Sequence, residues 1–519
     1  MKTLVCCLLS LIATVASTAA LDLDSLLRAS VGGQPAYEAL RQIESYRLTG
    51  RVSLNEQMGS FVFFFAAPDR VRLEVRFGAL TQAQGYDGRT AWQRDFNGAV
   101  SELSGADARE VWRQAYLQSY AYLLPERMPG EVRYVGDTVV DHTPVFRLEL
   151  YPLRRDTITM YLDKKTALPV ETVGFMDKIE IHTRFDDYRP ARQILVPFHT
   201  VSTAVSFPYR SEMWLDSVQL DVPVADSLFS TNWGQPMDFR FPAGGTQTVL
   251  PFILRDGHVY IKVTINGSHR FVFILDTGAS MNFLHTAVVD ALGLAAVGEL
   301  PGSGMAGDRR IPLVPTDSLQ IGKLTLYHQV AGELDLSLFE TTVDSLPFGG
   351  LIGYDFLSRF PVMIDFNKRT LTVFRRDSFI PPLGGFTLPM RFYRQVPVVP
   401  ATVEGITGDF IIDLGNPRGI ILHDEFVRRH GLLQRWGDRV KTGGDISGVG
   451  GSLGVRSVIV DSFALGGFTG TQVPGLLTAA GGGITASREL AGNIGGPFLQ
   501  QFRILLDYEQ QEIRLYPGE

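Results

Sequence analysis

Cysteine is almost missing from this chain: two in 519 residues, Cys6 and Cys7, adjacent and close to the N-terminus. Without that first segment, no disulfide could form and no thiolate would be on hand for catalysis or metal binding. Basic excess is missing as well. Lys+Arg 48 against Asp+Glu 55 gives a net charge of −7, so no partner made of nucleic acid is expected. Histidine is scarce, 9 in all, with no His-Glu-x-x-His and no other metal-ligand spacing; His423 and His430 read as surface or capping groups. After the first segment no apolar run reaches the ~18 residues that a membrane helix needs, so no transmembrane segment is expected in the mature chain. What the chain does have is Gly 53 and Phe 33, within 45% hydrophobic and 20% charged residues. That is the composition of a folded, mostly β protein with many tight turns, long enough for roughly three to four units.

The first twenty residues read as an address. Lys2 precedes an apolar run from Leu4 to Ala16, and Ser17-Thr18-Ala19-Ala20 follow. Charged, then apolar, then small is the order of a secretory signal peptide, with cleavage after Ala19 or Ala20. Only five residues precede Cys6, too few to make it a lipidated cleavage site. A secreted or periplasmic mature chain is expected.

From 21 to 233 the pattern is short alternating segments, among them Tyr46 to Leu54, Ser60 to Phe65, Val71 to Phe77, Thr143 to Leu150 and Thr157 to Leu162. Period-2 alternation of β-branched and aromatic residues predicts antiparallel strands with one wet face. One helix interrupts them, predicted from Ala106 to Leu124, just before Pro125. Residues 234–247, with Pro236, Pro242, Gly244 and Gly245, read as a linker. At Tyr46–Gly50, Ala67-Pro68-Asp69-Arg70, Tyr86-Asp87-Gly88 with Trp92, and Tyr161-Leu162-Asp163 with Thr166-Ala167-Leu168-Pro169-Val170, this part resembles the periplasmic lipoprotein-carrier family. The resemblance implies a half-open antiparallel β-barrel with a helical plug, and a lipid or lipoprotein as partner.

Beyond 247 the chain repeats itself. Leu351-Ile352-Gly353 is echoed by Asn493-Ile494-Gly495, and Val362-Met363-Ile364-Asp365 by Ile504-Leu505-Leu506-Asp507, both at an offset of 142. Upstream, Ile274-Leu275-Asp276-Thr277-Gly278 pairs with Ile411-Ile412-Asp413-Leu414-Gly415 at an offset of 137. Two homologous lobes are predicted, 248–378 and 379–519. Each ends an apolar strand with an Asp, and a Gly two positions on permits the tight approach that a crowded turn requires.

The full form Asp276-Thr277-Gly278-Ala279-Ser280, its partial copy at Asp413, and the later apolar-Ile-Gly in each lobe together resemble the retropepsin/pepsin-like aspartic peptidases. The resemblance implies a bilobal β fold with Asp276 and Asp413 as a catalytic pair. Thr277, Gly278 and Gly415 would support the two loops. The substrate would be a peptide or protein, with no metal or other cofactor, and a monomer would suffice. It also makes flaps of the Gly-rich hairpins, at Gly302, Gly304 and Gly307 in lobe one and Gly448, Gly450 and Gly451 in lobe two. Lobe two departs from the pattern at Leu414, where the family has a hydroxyl that braces the two loops. The alternative is therefore an exported peptide- or lipid-binding protein with degenerate peptidase lobes, or a homodimer pairing Asp276 between chains. Two matches are decoys. Gly302-x-Gly304-x-x-Gly307 is followed by Pro312 and Pro315 rather than a helix, and Gly450-x-Ser452-x-Gly454 by an alternating strand.

Overall fold

A computed structural model describes residues 22–152, 156–205, 207–231, 236–305, 307–479 and 482–518. The segment 1–20, expected as a signal peptide, lies outside the described residues, as does the start of the 234–247 stretch. Among the described residues no helix is long and apolar enough to cross a membrane. The chain is mostly β.

The alternating N-terminal segments build one thirteen-stranded antiparallel sheet. Its strands follow chain order except at one place, where the first, Ser45–Leu54, pairs with the last, Arg210–Leu220. The two edges are therefore Val100–Glu102 and Gly130–Val140. The chain between those edges carries the helix Gly105–Gln118, which fills the open side. Ala108, Val111 and Ala115 recur at helical spacing and are buried in the same cluster as Phe61, Phe63 and Phe65, alternate positions of one strand. The strands are antiparallel, as the alternation predicts, and the sheet is a half-open barrel with an internal helix, as the resemblance implies. The helix stops six residues before the predicted end. Tyr120 takes a left-handed φ of 55°, and the Ala121 N–H turns back to the Tyr116 carbonyl.

The repeat is visible strand by strand. In lobe one, His258–Ile265, His269–Leu275, Leu346–Ile352, Phe283–His285, Leu324–Leu334 and Asp308–Ile321 close into a six-stranded ring. In lobe two, Val396–Val403, Ile406–Asp413, Leu490–Gly495, Ile420–Leu422, Phe468–Thr478 and Gly451–Leu465 close the same way. Each step is parallel or antiparallel in the same order in both rings. A separate six-stranded sheet joins the lobes, and at its centre Met363 lies opposite Leu505. These two residues are repeat mates at the offset of 142, so the approximate two-fold axis passes between them.

The stretch read as a linker is tied down on its described part. Phe239–Arg240 pairs with Leu324–Leu334, and Gln247–Pro251 joins the sheet between the lobes. Pro and Gly signal a loop correctly, but Phe239 and Phe241 pack on the buried Phe360 and anchor it. The N-terminal sheet is also docked. Asn97 exchanges hydrogen bonds with Val330 of lobe one, and Ser104 donates to the Phe392 carbonyl of lobe two. Ala99 is buried within the main core of the lobes.

Candidate active site

Asp276 and Asp413 arrive from equivalent strands. Asp276 extends the strand His269–Leu275, its N–H donating to Ile352 O at 2.9 Å. Asp413 ends the strand Ile406–Asp413 beside Gly495. In each lobe the Gly two residues on donates its N–H to its own Asp Oδ1, at 2.8 Å in both cases. The loops then face each other so closely that neither Gly could carry a side chain. A Cβ on Gly278 would lie 2.7 Å from the Asp413 carboxyl carbon, and one on Gly415 would lie 2.5 Å from that of Asp276. The two carboxyl groups hydrogen-bond to one another. Asp276 is held well above the usual carboxylate range, by burial first and the Asp413 charge second. Burial also raises Asp413, but the Asn493 amide and the backbone N–H groups of its loop oppose the rise.

Below the pair, Thr277 crosses between lobes. Its hydroxyl donates to Ile412 O at 2.7 Å and accepts the Leu414 N–H at 2.9 Å. The matching position in lobe two is Leu414, whose side chain is buried in the apolar core. The brace exists in one direction only. Thr277→Val keeps the shape but strands a buried carbonyl and a buried N–H. Each unpaired group should cost about 1–3 kcal/mol, readable as a lowered denaturation midpoint; an unchanged midpoint would show that the brace does not hold the lobes.

The Leu351-Ile352-Gly353 and Asn493-Ile494-Gly495 elements pack under the loops, though the second opens on a polar residue. A Cβ on Gly353 would lie 2.5 Å from Ala279 O, and one on Gly495 would lie 2.5 Å from Asn416 O. The Gly-rich segments are hairpins, Gly298–Ser303 with Asp308–Ile321 and Lys441–Gly448 with Gly451–Leu465. Their tips meet: the Met305 N–H donates to Val449 O at 2.7 Å, and a Cβ on Gly304 would lie 2.2 Å from that oxygen. Gly307 approaches Gly450, and Gly448 approaches Met305, so four of the six candidate glycines lie at this junction. Gly302 instead faces Ile311 of its own hairpin, and Gly451, at a φ of 129°, faces open space. Val449 packs on the cluster that includes Ala279, three residues past Asp276.

Three residues near the pair carry no motif. His258 donates its Nε2–H to Gly415 O at 3.2 Å, and burial lowers its affinity for a proton. Asn493 and Asn416 contact the Asp413 loop. A polar Asn493 where lobe one has Leu351 was the signal available. His423 is buried at 1% exposure at the start of the helix Asp424–Arg429, so the surface reading fails for it. Burial pushes its imidazole down to about 4. Among the described residues, no group of three or more His, Cys, Asp or Glu side chains could hold a metal ion.

Residues 261–356 match the family model described as aspartyl protease. The match spans the first ring with Asp276-Thr277-Gly278 and ends before Asp413. No curated protein matches the chain. Among solved structures, an aspartic proteinase from Irpex lacteus is similar over 53% of this chain and 98% of its own, at 12% identity and a TM-score of 0.34. A LolA superfamily protein from Nitrosomonas europaea is similar over 40% and 96%, at 13% identity and a TM-score of 0.30. A DUF1329 family protein from Desulfovibrio piger is similar over 37% and 92%, at 12% identity and a TM-score of 0.29. The first lobe is thus similar to aspartyl proteases over residues 261–356.

Proposed function

We propose that the mature chain is an exported aspartic endopeptidase, with Asp276 and Asp413 as its catalytic pair. The observation that carries this reading is the face-to-face placement of the two Asp loops, tight enough to demand glycine at both 278 and 415. Two carboxyl groups in hydrogen-bond contact cannot both ionise easily, so they share one proton over a wide pH range. The ionised member takes a proton from a water held between them as that water attacks the scissile carbonyl. The protonated member donates to the carbonyl oxygen, and the proton taken from water later reaches the leaving amine. Both loops belong to one chain, so their effective concentration is high and one site per monomer is proposed. The touching hairpin tips are the flaps in this reading, and must part to admit a peptide.

The test is digestion of a peptide library by the mature chain, with and without a transition-state analogue carrying a hydroxyl at the scissile position. Cleavage blocked by the analogue supports the reading, with titration giving one site per chain. No cleavage at any pH would overturn it and favour the binding-protein alternative, for which the one-way brace at Leu414 is the supporting observation. For the N-terminal sheet, a lipid or lipoprotein partner is proposed from its resemblance to carriers. Organic extraction of the purified chain, followed by mass spectrometry, would find an acyl ligand if that is right.

A further inference from the structure

The two Asp residues have unequal surroundings. Asp413 accepts on both oxygens: Oδ1 takes the Gly415 N–H at 2.8 Å, and Oδ2 takes the Asn493 side-chain amide. Asn493 in turn accepts on its Oδ1 from the Asn416 Nδ2 at 2.7 Å. The direction of this relay is set at its far end. Asn416 Oδ1 faces the Arg418 N–H at 2.8 Å, which can only donate. Its Nδ2 faces the Gly419 carbonyl at 3.0 Å, which can only accept. Asn416 therefore cannot flip without setting two like groups against each other, and Asn493 must present its N–H₂ to Asp413. Lobe one has no such relay. Its repeat mates are Leu351 for Asn493 and Ala279 for Asn416, neither of which can donate from a side chain.

We propose that Asn493, oriented by Asn416, is a positioning residue that makes Asp413 the ionised member of the pair and leaves the shared proton on Asp276. The inference rests on the peptidase reading for its consequence in catalysis, though not for its consequence in titration. A donor held to a carboxylate oxygen favours the ionised form; both residues receive backbone N–H groups, but only Asp413 also receives a side-chain amide, from Asn493. Burial raises both residues, but next in rank comes the Asp413 charge at Asp276, which raises it further, and the Asn493 amide at Asp413, which opposes the rise. The other titratable groups facing the pair are His258, held to the Gly415 carbonyl, and Tyr508, whose buried phenol senses the Asp276 charge. Neither hydrogen-bonds to a carboxyl oxygen of the pair, so neither duplicates the amide.

Asn493→Leu copies the lobe-one residue and is the direct test. Removing a donor from a carboxylate raises its pKa, so the lower apparent pKa of the pair should rise by about one unit. Two readouts report it in the full mature chain: the acid limb of the pH profile of kcat/KM, and carboxyl ¹³C chemical shifts across a pH titration of aspartate-labelled protein. Asn416→Ala, which frees Asn493 to rotate, should move both the same way by less. It also serves if Asn493→Leu fails to fold. A folded Asn493→Leu whose carboxyl titration matches the wild type would overturn the proposal. So would an acid limb that moves to lower pH. If the wild type cleaves no peptide, the peptidase reading falls, while the carboxyl titration still decides the relay.

Discussion

Asp276→Asn should abolish peptide cleavage, by roughly a thousandfold or more given what a positioned acid or base contributes, and should leave the fold no less stable at neutral pH. The second half follows from the direction of its titration. In the folded chain the Asp276 carboxyl is held well above its ordinary range by burial and by the Asp413 charge. The folded state therefore binds that proton more tightly than the unfolded chain does. Its contribution is complete below the ordinary carboxylate range and is lost as pH rises through the folded value. An amide never ionises, so the variant escapes this loss. Unfolding midpoints should match or exceed the wild type at neutral pH, and the difference should shrink on acidification. Asp413→Asn should be equally inactive, since one proton shared by two carboxyls needs both. Mixing the two variants should restore nothing, because each chain carries its own pair. Retained turnover in Asp276→Asn would sink the peptidase reading. Full activity in Asp413→Asn that fell on dilution would point to pairing between chains.

Much of this site is legible in the sequence because the chain contains the comparison within itself. Asp276 and Asp413 end strands at one offset, and the residues around them repeat, so the ring topology had to repeat as well. Gly278 and Gly415 were legible for a related reason: a glycine kept at equivalent turns signals a close approach, and here the approach is to the opposite carboxyl. Asn493 was hard to weigh because one polar residue in an apolar strand has no periodic signature. Its meaning depends on Asn416, 77 positions away. The hairpin tips were legible as glycine-rich, but which glycines meet depends on the reach of two hairpins from different lobes. The helix end near Tyr120 turned on a single left-handed residue, and the Pro125 boundary gave no hint of it. Least legible was the docking of the N-terminal sheet. Asp95, Asn97 and Ala99 lie in a turn of the kind that alternation treats as mere connection, yet they complete the packing of lobe one.

That docking predicts the largest stability effect in the molecule. Arg359 is fully buried, its side chain 0% exposed, and it joins three parts of the chain. Its guanidinium grips Asp238 of the connecting stretch with two hydrogen bonds, Nε to Oδ1 at 2.9 Å and Nη2 to Oδ2 at 2.6 Å. It also donates to the carbonyls of Asp355 and of Asn97, the latter from the N-terminal sheet. The Asp355 carboxylate meanwhile takes the Asn97 amide at 2.8 Å and the Asn282 N–H at 2.6 Å. Nearby, burial and then the Asp355 charge push Asp95 up to about 7. Arg359→Met keeps the volume and removes the cation that all three carboxylates face. Uncompensated buried charge of that kind costs about 3–5 kcal/mol, which should appear as a large drop in the urea midpoint and as early proteolysis near Asp238. Asp95→Asn should act in the opposite sense. Because the folded value of Asp95 lies above the unfolded one, its contribution is complete below the ordinary carboxylate range and is lost as pH climbs through about 7. The asparagine variant should therefore gain on the wild type as pH rises, and should show no gain in acid. A wild-type midpoint that rises over this window, with Asp95→Asn tracking it, would mean that Asp95 is already ionised in the folded chain. Arg359 would then be holding three charges, and its removal should cost still more.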